Sequence, residues 1–547
     1  MNDKKIAFIY CVNNRELYEE SVRYVRSLHV PDGYEIEIIA IEGAKSITSG
    51  YNEAMKKTDA KYKVYLHQDV FIVNRNFIHD VLAIFSRNAK IGIIGMVGAK
   101  KIPTSGIWWE AKDKYGQVFD SHRGSLSILS FRNVMGQYEV VEAVDGLLMV
   151  TQYDINWRED IFDGWHFYDV SHCVEFFKRG YLTVVPSQKD PWCVHDCGIV
   201  NIKNGYEYYR NVFLDEYSDF LFPLVSVLIP TYNRPVLFKE ALQSALDQSY
   251  RNIEIIICDD STNDLTRDVV NQVMETGSRR NIIYVKNRNR LGKTTGLENA
   301  QRCLDLANGD FVNFLFDDDK FARDKISKMM NYYHQFDDIC LVTSFRQTIN
   351  EKGELLSSIR ATERLFDDDT LIDGQVLGKH MLLNMLNVVG EFTTVLFRRG
   401  DIHDALGQYM GRQYYPLSDV STWLHLLQNG KAVYIAEPLS YFRLHSTQNS
   451  HDVTNMILGA IEWHRLFKDC YDKEIYVINQ NESVHFLIKW IEEHMHVLKR
   501  LGINLNDSDF VDKNQGVLRE FFSVFHEVTG AIEKTCRVML EAEREDF

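Results

Sequence analysis

The stretch LVSVLIPTYNR, residues 224–234, is a short apolar run that stops at Thr-Tyr-Asn-Arg. Apolar runs of this length bounded by turn formers read as buried strands that feed a loop. The chain contains the arrangement once more, as KKIAFIYCVNNR at 4–15, which also ends in Asn-Arg. Outward from each copy the same order follows. A helical stretch comes next (ELYEESVRYVRSL; PVLFKEALQSALDQ), then an apolar strand ending on acid (YEIEIIAIEG, 34–43; NIEIIICDDS, 252–261). A helix, a turn and a strand closing on an acidic cluster come after it: TSGYNEAMKKTDAKYKVYLHQDVF (48–71) and TTGLENAQRCLDLANGDFVNFLFDDDKF (294–321). Last, DVSHCVEFFKRGYLTVVPSQKDPWCVH (169–195) parallels DVSTWLHLLQNGKAVYIAEPLSYFRLH (419–445). Both open Asp-Val-Ser, carry a glycine eleven residues on (Gly180, Gly430) and end on histidine after twenty-six.

Strand–helix alternation of this kind predicts an α/β chain, with a mostly parallel sheet and helices on both faces. In such sheets a ligand sits beyond the carboxyl ends of the strands. Asn14, Glu42 and Asp69 in the first copy, and Asn233, Asp260 and Asp318 in the second, all fall at strand ends. The repeat therefore divides the chain into tandem α/β domains at about 1–222 and 223–452. Residues 453–547 read differently: VHFLIKWIEEHMHVLKRLG and VLREFFSVFHEVTGAIEKTCRVMLEAERE carry i, i+3, i+4 apolar spacing. This is a helical C-terminal region, expected to pack on the second domain or to join copies into a homo-oligomer, without supplying catalytic groups.

Bulk properties narrow the function. A 547-residue chain with 45% hydrophobic and 12% aromatic residues is that of a folded protein. Its net charge of −16 argues against nucleic acid or an anionic membrane surface as the main partner. A bound cation would still permit a site for phosphorylated ligands. No apolar run reaches the length of a membrane span, and the N-terminal residues lack a signal-peptide core. Nine cysteines without paired spacing fit a reducing compartment, so the expected location is cytoplasmic. CVHDC at 193–197 has no second ligand pair in the sequence to close a tetrahedral zinc shell.

Six separated motifs of the second domain occur in order: VSVLIPTYNR, IIICDDST, NRLGKTTGLENA, FLFDDDKF, SDVSTWLHLLQNG and YFRLH. Together they resemble family 2 glycosyltransferases, which have the nucleotide-diphospho-sugar transferase (GT-A) fold. The first domain, through SITSGYNEAM, KVYLHQDVFI, IGIIGMVGAK, GIWWE, VDGLLM, DGWHFYDVS and WCVHDCG, resembles a more divergent glycosyltransferase-like family. The fold this implies is two tandem GT-A-like domains with a helical appendix. The activity it implies is transfer of sugars of the hexosyl or N-acetylhexosaminyl type, inverting at least in the second domain. The donor would be a nucleotide-diphospho-sugar, UDP-sugars first, and the acceptor a glycan or glycoprotein.

The chemistry asks for three things: a counter-charge for the leaving diphosphate, a general base for the acceptor hydroxyl, and hydrogen bonds that orient the nucleotide. Three adjacent carboxylates at a strand end repel one another unless a cation binds. Asp318, paired with Asp317 or Asp319, is therefore the candidate ligand of Mn²⁺ or Mg²⁺, and His445 completes the metal shell or touches the diphosphate. By resemblance Pro230, Thr231, Asp260 and Asp317 bind the donor, with Lys293 either a diphosphate contact or a surface residue. Asp419 is the catalytic base by resemblance; a helix N-cap is its alternative. In the first domain Asp69 and His195 take the metal positions, with His67 a softer neighbour. Glu42 and Asn14 take the donor positions and Asp169 the base. Trp108 and Trp109 form a sugar platform or belong to the core, and Glu110 and Asp145 are candidate acceptor contacts. Between Glu42 and Ser46 this copy lacks a strand and a helix that the second copy has.

Three functions compete. The first is a bifunctional transferase; the second is one catalytic domain joined to an N-terminal acceptor-binding module. The third, a nucleotidyltransferase, wants a Gly-rich basic loop after the first strand, which neither PTYNRP nor CVNNRE supplies. A processive synthase would need membrane helices and a Gln-x-x-Arg-Trp motif, and the sequence has neither.

Overall fold

A computed structural model describes residues 1–199, 204–277, 280–288, 296–445, 452–504 and 508–545. The chain divides into two compact units, Met1–Phe222 and Pro223–Phe547. Lys293 lies outside the described residues.

The first unit is built on a seven-stranded sheet in which Asn2–Val12 lies second from one edge, flanked in parallel by Glu35–Glu42 and Ala60–Leu66. Leu148–Thr151 enters antiparallel next to Ala60–Leu66, and Ile91–Gly95 and Leu182–Pro186 follow it. The second unit repeats this order. Val225–Thr231 lies between Ile253–Asp259 and Phe311–Phe314, both parallel to it. Leu396–Arg398 enters antiparallel, and Ile339–Ile349 and Lys431–Arg443 complete the series. Each sheet is thus mostly parallel, interrupted internally at the equivalent place by one reversed strand, with further antiparallel strands added beside Leu182–Pro186 and Lys431–Arg443. Strands such as Val225–Thr231 and Ile253–Asp259 are buried along nearly their whole length, as helices on both faces require.

One strand of the second sheet has no counterpart in the first. Asn281–Lys286 pairs with Ile253–Asp259 at the sheet edge, and the helix Leu265–Glu275 precedes it. In the first unit the chain runs from Glu42 straight into the helix Ile47–Lys56, which a reciprocal Ser46–Ser49 capping box starts.

The C-terminal region forms three helices, Val453–Asp472, Gln480–Asn504 and Ser508–Glu545. Their apolar stripes are consumed within the second unit. Ile457, Ile461, Phe467, Phe486, Trp490 and Phe521 belong to the same core as Leu427, Trp423 and Phe397. Phe467 and Phe486 stack with centroids 3.7 Å apart, the Trp490 indole N–H donates to the Ala460 carbonyl at 2.8 Å, and the Tyr476 hydroxyl donates to the Leu424 carbonyl. Among the described residues no helix is long and apolar enough to cross a membrane.

Candidate active sites

At the carboxyl ends of the second unit's strands lies a cavity of about 620 Å³. Thr231, Asp260, Asp317, Asp318 and Asp419 line it together, although 188 residues separate the first from the last. The three consecutive aspartates have different roles. Asp317 accepts from the Thr231 hydroxyl (2.9 Å) and the Tyr232 N–H (3.1 Å). Burial, with the Asp318 charge added, pushes its carboxyl up to about 6. Asp318 Oδ2 meets His445 Nε2 at 3.0 Å and the Arg234 guanidinium at 2.6 Å. Burial opposes ionisation there, but these two partners outweigh it and hold the carboxyl below its ordinary value.

Asp319 lines the same cavity. Its Oδ2 accepts from the Thr393 hydroxyl (2.7 Å), in the turn before Leu396–Arg398, and its Oδ1 from the Arg443 N–H (3.0 Å), at the end of Lys431–Arg443. Asp318 meets His445, and Asp317 lies beside it, the two carboxylates sharing the Arg234 guanidinium. They suit a hard divalent cation, since two close acids leave one of them pushed toward neutrality without one.

Thr231 is 2% exposed and spends its hydroxyl on Asp317, so it positions that carboxylate. Of the Asp-Asp pair at the neighbouring strand end, Asp259 is fully buried among Ser261 N–H, the Tyr284 hydroxyl and Lys286. Asp260 faces the cavity and accepts from the Asn287 amide at 2.6 Å. Pro230 lines the same wall.

Asp419 stands in the first turn of the helix Ser418–Leu427, whose N-cap residue is Leu417. It is therefore not the cap. Its Oδ2 accepts from the Asn387 amide at 2.8 Å and its Oδ1 from the Val420 N–H at 2.7 Å. Burial pushes its carboxyl up to about 7, with the Glu391 charge adding and Arg346 opposing. Arg346 holds this corner in place, pairing with Glu391 at 2.9 Å and donating to the Asn387 carbonyl at 3.0 Å.

The first unit assembles an equivalent set. Asp169 lies in the first turn of Tyr168–Lys178, after the non-capping Phe167, and accepts the Gly146 N–H at 2.9 Å. Burial, then the Asp145 charge, pushes its carboxyl up to about 7. A Cβ at Gly146 would lie 2.1 Å from the Tyr168 hydroxyl, so only glycine lets this backbone approach. That hydroxyl meets His67 Nε2 at 2.5 Å. His67, Asp69 and His195 each offer a ligand atom, all within 4.8 Å of one another. Asp69 Oδ1 is buried and, among the described residues, has no hydrogen-bond partner, an orphan that a cation would satisfy. His195 Nδ1 meets Asp120 Oδ2 at 3.0 Å, leaving Nε2 turned toward Asp69 at 3.9 Å. A carboxylate behind a ligating imidazole is the usual support for a metal-bound histidine. Burial alone would lower His195, but Asp120 outweighs it and holds the imidazole well above its ordinary range. Cys197 belongs to this network too, its thiol 3.9 Å from Asp120 Oδ2.

The remaining candidates of this unit sit in different surroundings. Asn14 is the N-cap of the helix Arg15–Arg26, its side-chain oxygen spent on the Glu16 and Leu17 N–H groups. Glu42 is exposed and paired with Arg15 at 3.5 Å, because the strand and helix that would enclose it are missing here. Trp108 is 4% exposed and packs in the interior; Trp109 is 43% exposed, with its ring 5.4 Å from that of Tyr206. Glu110 accepts the Ser105 hydroxyl at 2.6 Å, and Asp145 accepts the Leu147 N–H at 2.9 Å beside Asp169.

Sequence reading missed Arg234, Asn387, Glu391 and Asp120. Arg234 stood in plain view within the Asn-Arg ending; the other three have no local signal.

Residues 7–217 match the model of a glycosyltransferase like family, and residues 226–408 match that of glycosyl transferase family 2. The chain consists of two glycosyltransferase domains in tandem, followed by helices. It is similar to the Bacillus subtilis glycosyltransferase TuaG, named for teichuronic acid biosynthesis (27% identity, 48% of this chain, 91% of the relative). It is also similar to a Campylobacter jejuni GalNAc(5)-diNAcBac-PP-undecaprenol beta-1,3-glucosyltransferase (27%, 45% and 75%). Among solved structures, Staphylococcus aureus TarS 1–349 in complex with UDP aligns over 56% of this chain and 83% of its own, at 15% identity and a TM-score of 0.40.

Proposed function

We propose that the chain is a bifunctional, metal-dependent glycosyltransferase that moves sugars from nucleotide-diphospho-sugars to a glycan or glycoprotein acceptor. The observation that carries this reading is the paired base. In each unit an aspartate in the first turn of the corresponding helix does not cap it, and has its carboxyl pushed up to about 7. A base near the working pH combines a useful fraction of carboxylate with real proton affinity.

In the second unit Asp260 and Pro230 hold the nucleotide, and Asp317, Asp318 and His445 hold Mn²⁺ or Mg²⁺. When bound, the ion neutralises charge developing on the leaving diphosphate. Asp419 takes the proton of the acceptor hydroxyl as its oxygen attacks the anomeric carbon from the face opposite the diphosphate, which inverts the centre. Asn387 keeps the carboxylate oriented. In the first unit Asp169 is the base, and His67, Asp69 and His195 hold the ion. Asp145, with the exposed Trp109, faces the acceptor. UDP-sugars are the first donors to try, since the relative WfaP of Escherichia coli carries UDP-Glc in its name.

The exposed Glu42 supports a second reading, in which the first unit binds acceptor without turning over. Mass spectrometry of acceptor products separates the two. Under the bifunctional reading Asp169→Asn and Asp419→Asn stop at different products, one sugar apart. If Asp169→Asn makes every product at the normal rate, the first unit is a binding module.

A further inference from the structure

Part of the wall of the second unit's cavity comes from outside the span that matches family 2. Met456 and Gly459, on the helix Val453–Asp472, line it alongside Asp419. Tyr415 lines it as well and is 44% exposed, unusual for a large ring inside a cavity. The same helix holds the backbone that carries this ring. Glu462, 2% exposed, accepts the Tyr415 N–H through Oε1 and the Leu417 N–H through Oε2, both at 2.9 Å. Pro416 between them has no N–H to give. One buried carboxylate therefore takes both backbone donors of the three residues that lead into Ser418 and the base helix, which has no side-chain cap of its own.

Thr231, Asp260, Asp317 and Asp318 account for the part of the cavity where a nucleotide diphosphate would lie. The rest of the lining includes the Tyr415 ring, the Met456 thioether, Gly459 and the base, with Glu391, Ser418 and Asn455 as polar groups. Slots that combine exposed aromatic surface with few polar groups suit ligands having an apolar face and a polar rim. A pyranose ring is such a ligand, with C–H groups on its faces and hydroxyls at its edge. We propose that Tyr415, Pro416 and the helix Val453–Asp472 form the acceptor subsite of the second unit, which seats a pyranose of the acceptor glycan on the Tyr415 ring. This rests on the transferase reading of that unit. It gives the C-terminal helices a part in acceptor choice, and makes Glu462 a positioning residue for both the ring and the base.

The test uses the full chain, UDP, and benzyl glycosides of glucose, galactose, N-acetylglucosamine and N-acetylgalactosamine, with saturation-transfer NMR as the readout. Gly459→Leu adds a side chain toward the slot; a Cβ there meets only Pro416, at 3.9 Å, so the fold accommodates its base. Tyr415→Ala removes the platform and Tyr415→Phe keeps it. At least one glycoside should bind wild type and Tyr415→Phe, and lose threefold or more of its signal in Gly459→Leu and Tyr415→Ala, with the UDP signal unchanged. If UDP binds but no glycoside does, or if glycoside signals survive both disruptive variants, the subsite is refuted and the transferase reading stands. If wild type binds neither UDP nor glycoside, the transferase reading itself fails.

Discussion

Replacing Asp419 by Asn should abolish transfer by the second unit and yet make the protein more stable above neutral pH. Asp419 carries a carboxyl pushed from its ordinary 3.8 to about 7, chiefly by burial. At roughly 1.4 kcal/mol per tenfold change in proton affinity, ionising it inside the fold costs about 4 kcal/mol relative to the unfolded chain. The direction follows from linkage. A carboxyl with a raised folded pKa favours folding fully below about pH 4, and that contribution is lost as pH rises to about 7. The amide carries no such cost. It has one acceptor oxygen where the carboxylate uses two, for Asn387 and Val420, so one hydrogen bond worth about 1 kcal/mol goes. Exposure of the carboxylate to the cavity reduces the cost further. The net gain for Asp419→Asn is about 1–3 kcal/mol at pH 8, falling to nothing or a slight loss at pH 4. Denaturant unfolding of wild type and variant at both pH values measures it, beside UDP release with acceptor present. A variant that is less stable at pH 8, or that still transfers, would show that Asp419 is a structural ligand of Asn387 and not a strained base.

Wild-type transfer should fall about tenfold per pH unit below an apparent pKa near 7, because the carboxylate is the working form of Asp419 and Asp169; a flat profile from pH 5 to 8 would exclude both as bases. Chelation should abolish activity and Mn²⁺ or Mg²⁺ restore it, and His67→Ala should weaken ion binding to the first unit in a titration calorimeter; full activity in EDTA would dismiss the metal roles of Asp318 and Asp69. Deleting residues from 453 onward should leave the second unit unfolded or insoluble, since Trp490, Phe467 and Tyr476 share its core; a soluble, fully active truncation would disprove this.

Much of the architecture was legible in the residues themselves. Alternation of apolar runs with 3.6-period segments, and Asn-Arg, acid and histidine endings spaced alike in two halves, implied two related sheets with their chemistry at the strand ends. Strand and helix periodicities are local properties of a chain, and a carboxylate beside a carboxylate needs compensation in any fold. Even the missing strand and helix after Glu42 could be counted. What each acid does was decided only by packing. Asp317, Asp318 and Asp319 are indistinguishable as letters, and only the folded chain gives Asp317 to Thr231, Asp318 to His445 and Asp319 to Thr393 and the Arg443 N–H. Asn14 became a cap and Trp108 a core residue for the same reason: a side chain's partners depend on where distant segments come to rest. Asp120 behind His195, 75 residues away, and Glu462 under Tyr415, 47 residues away, have no signature in sequence because hydrogen bonds between remote segments follow no local period.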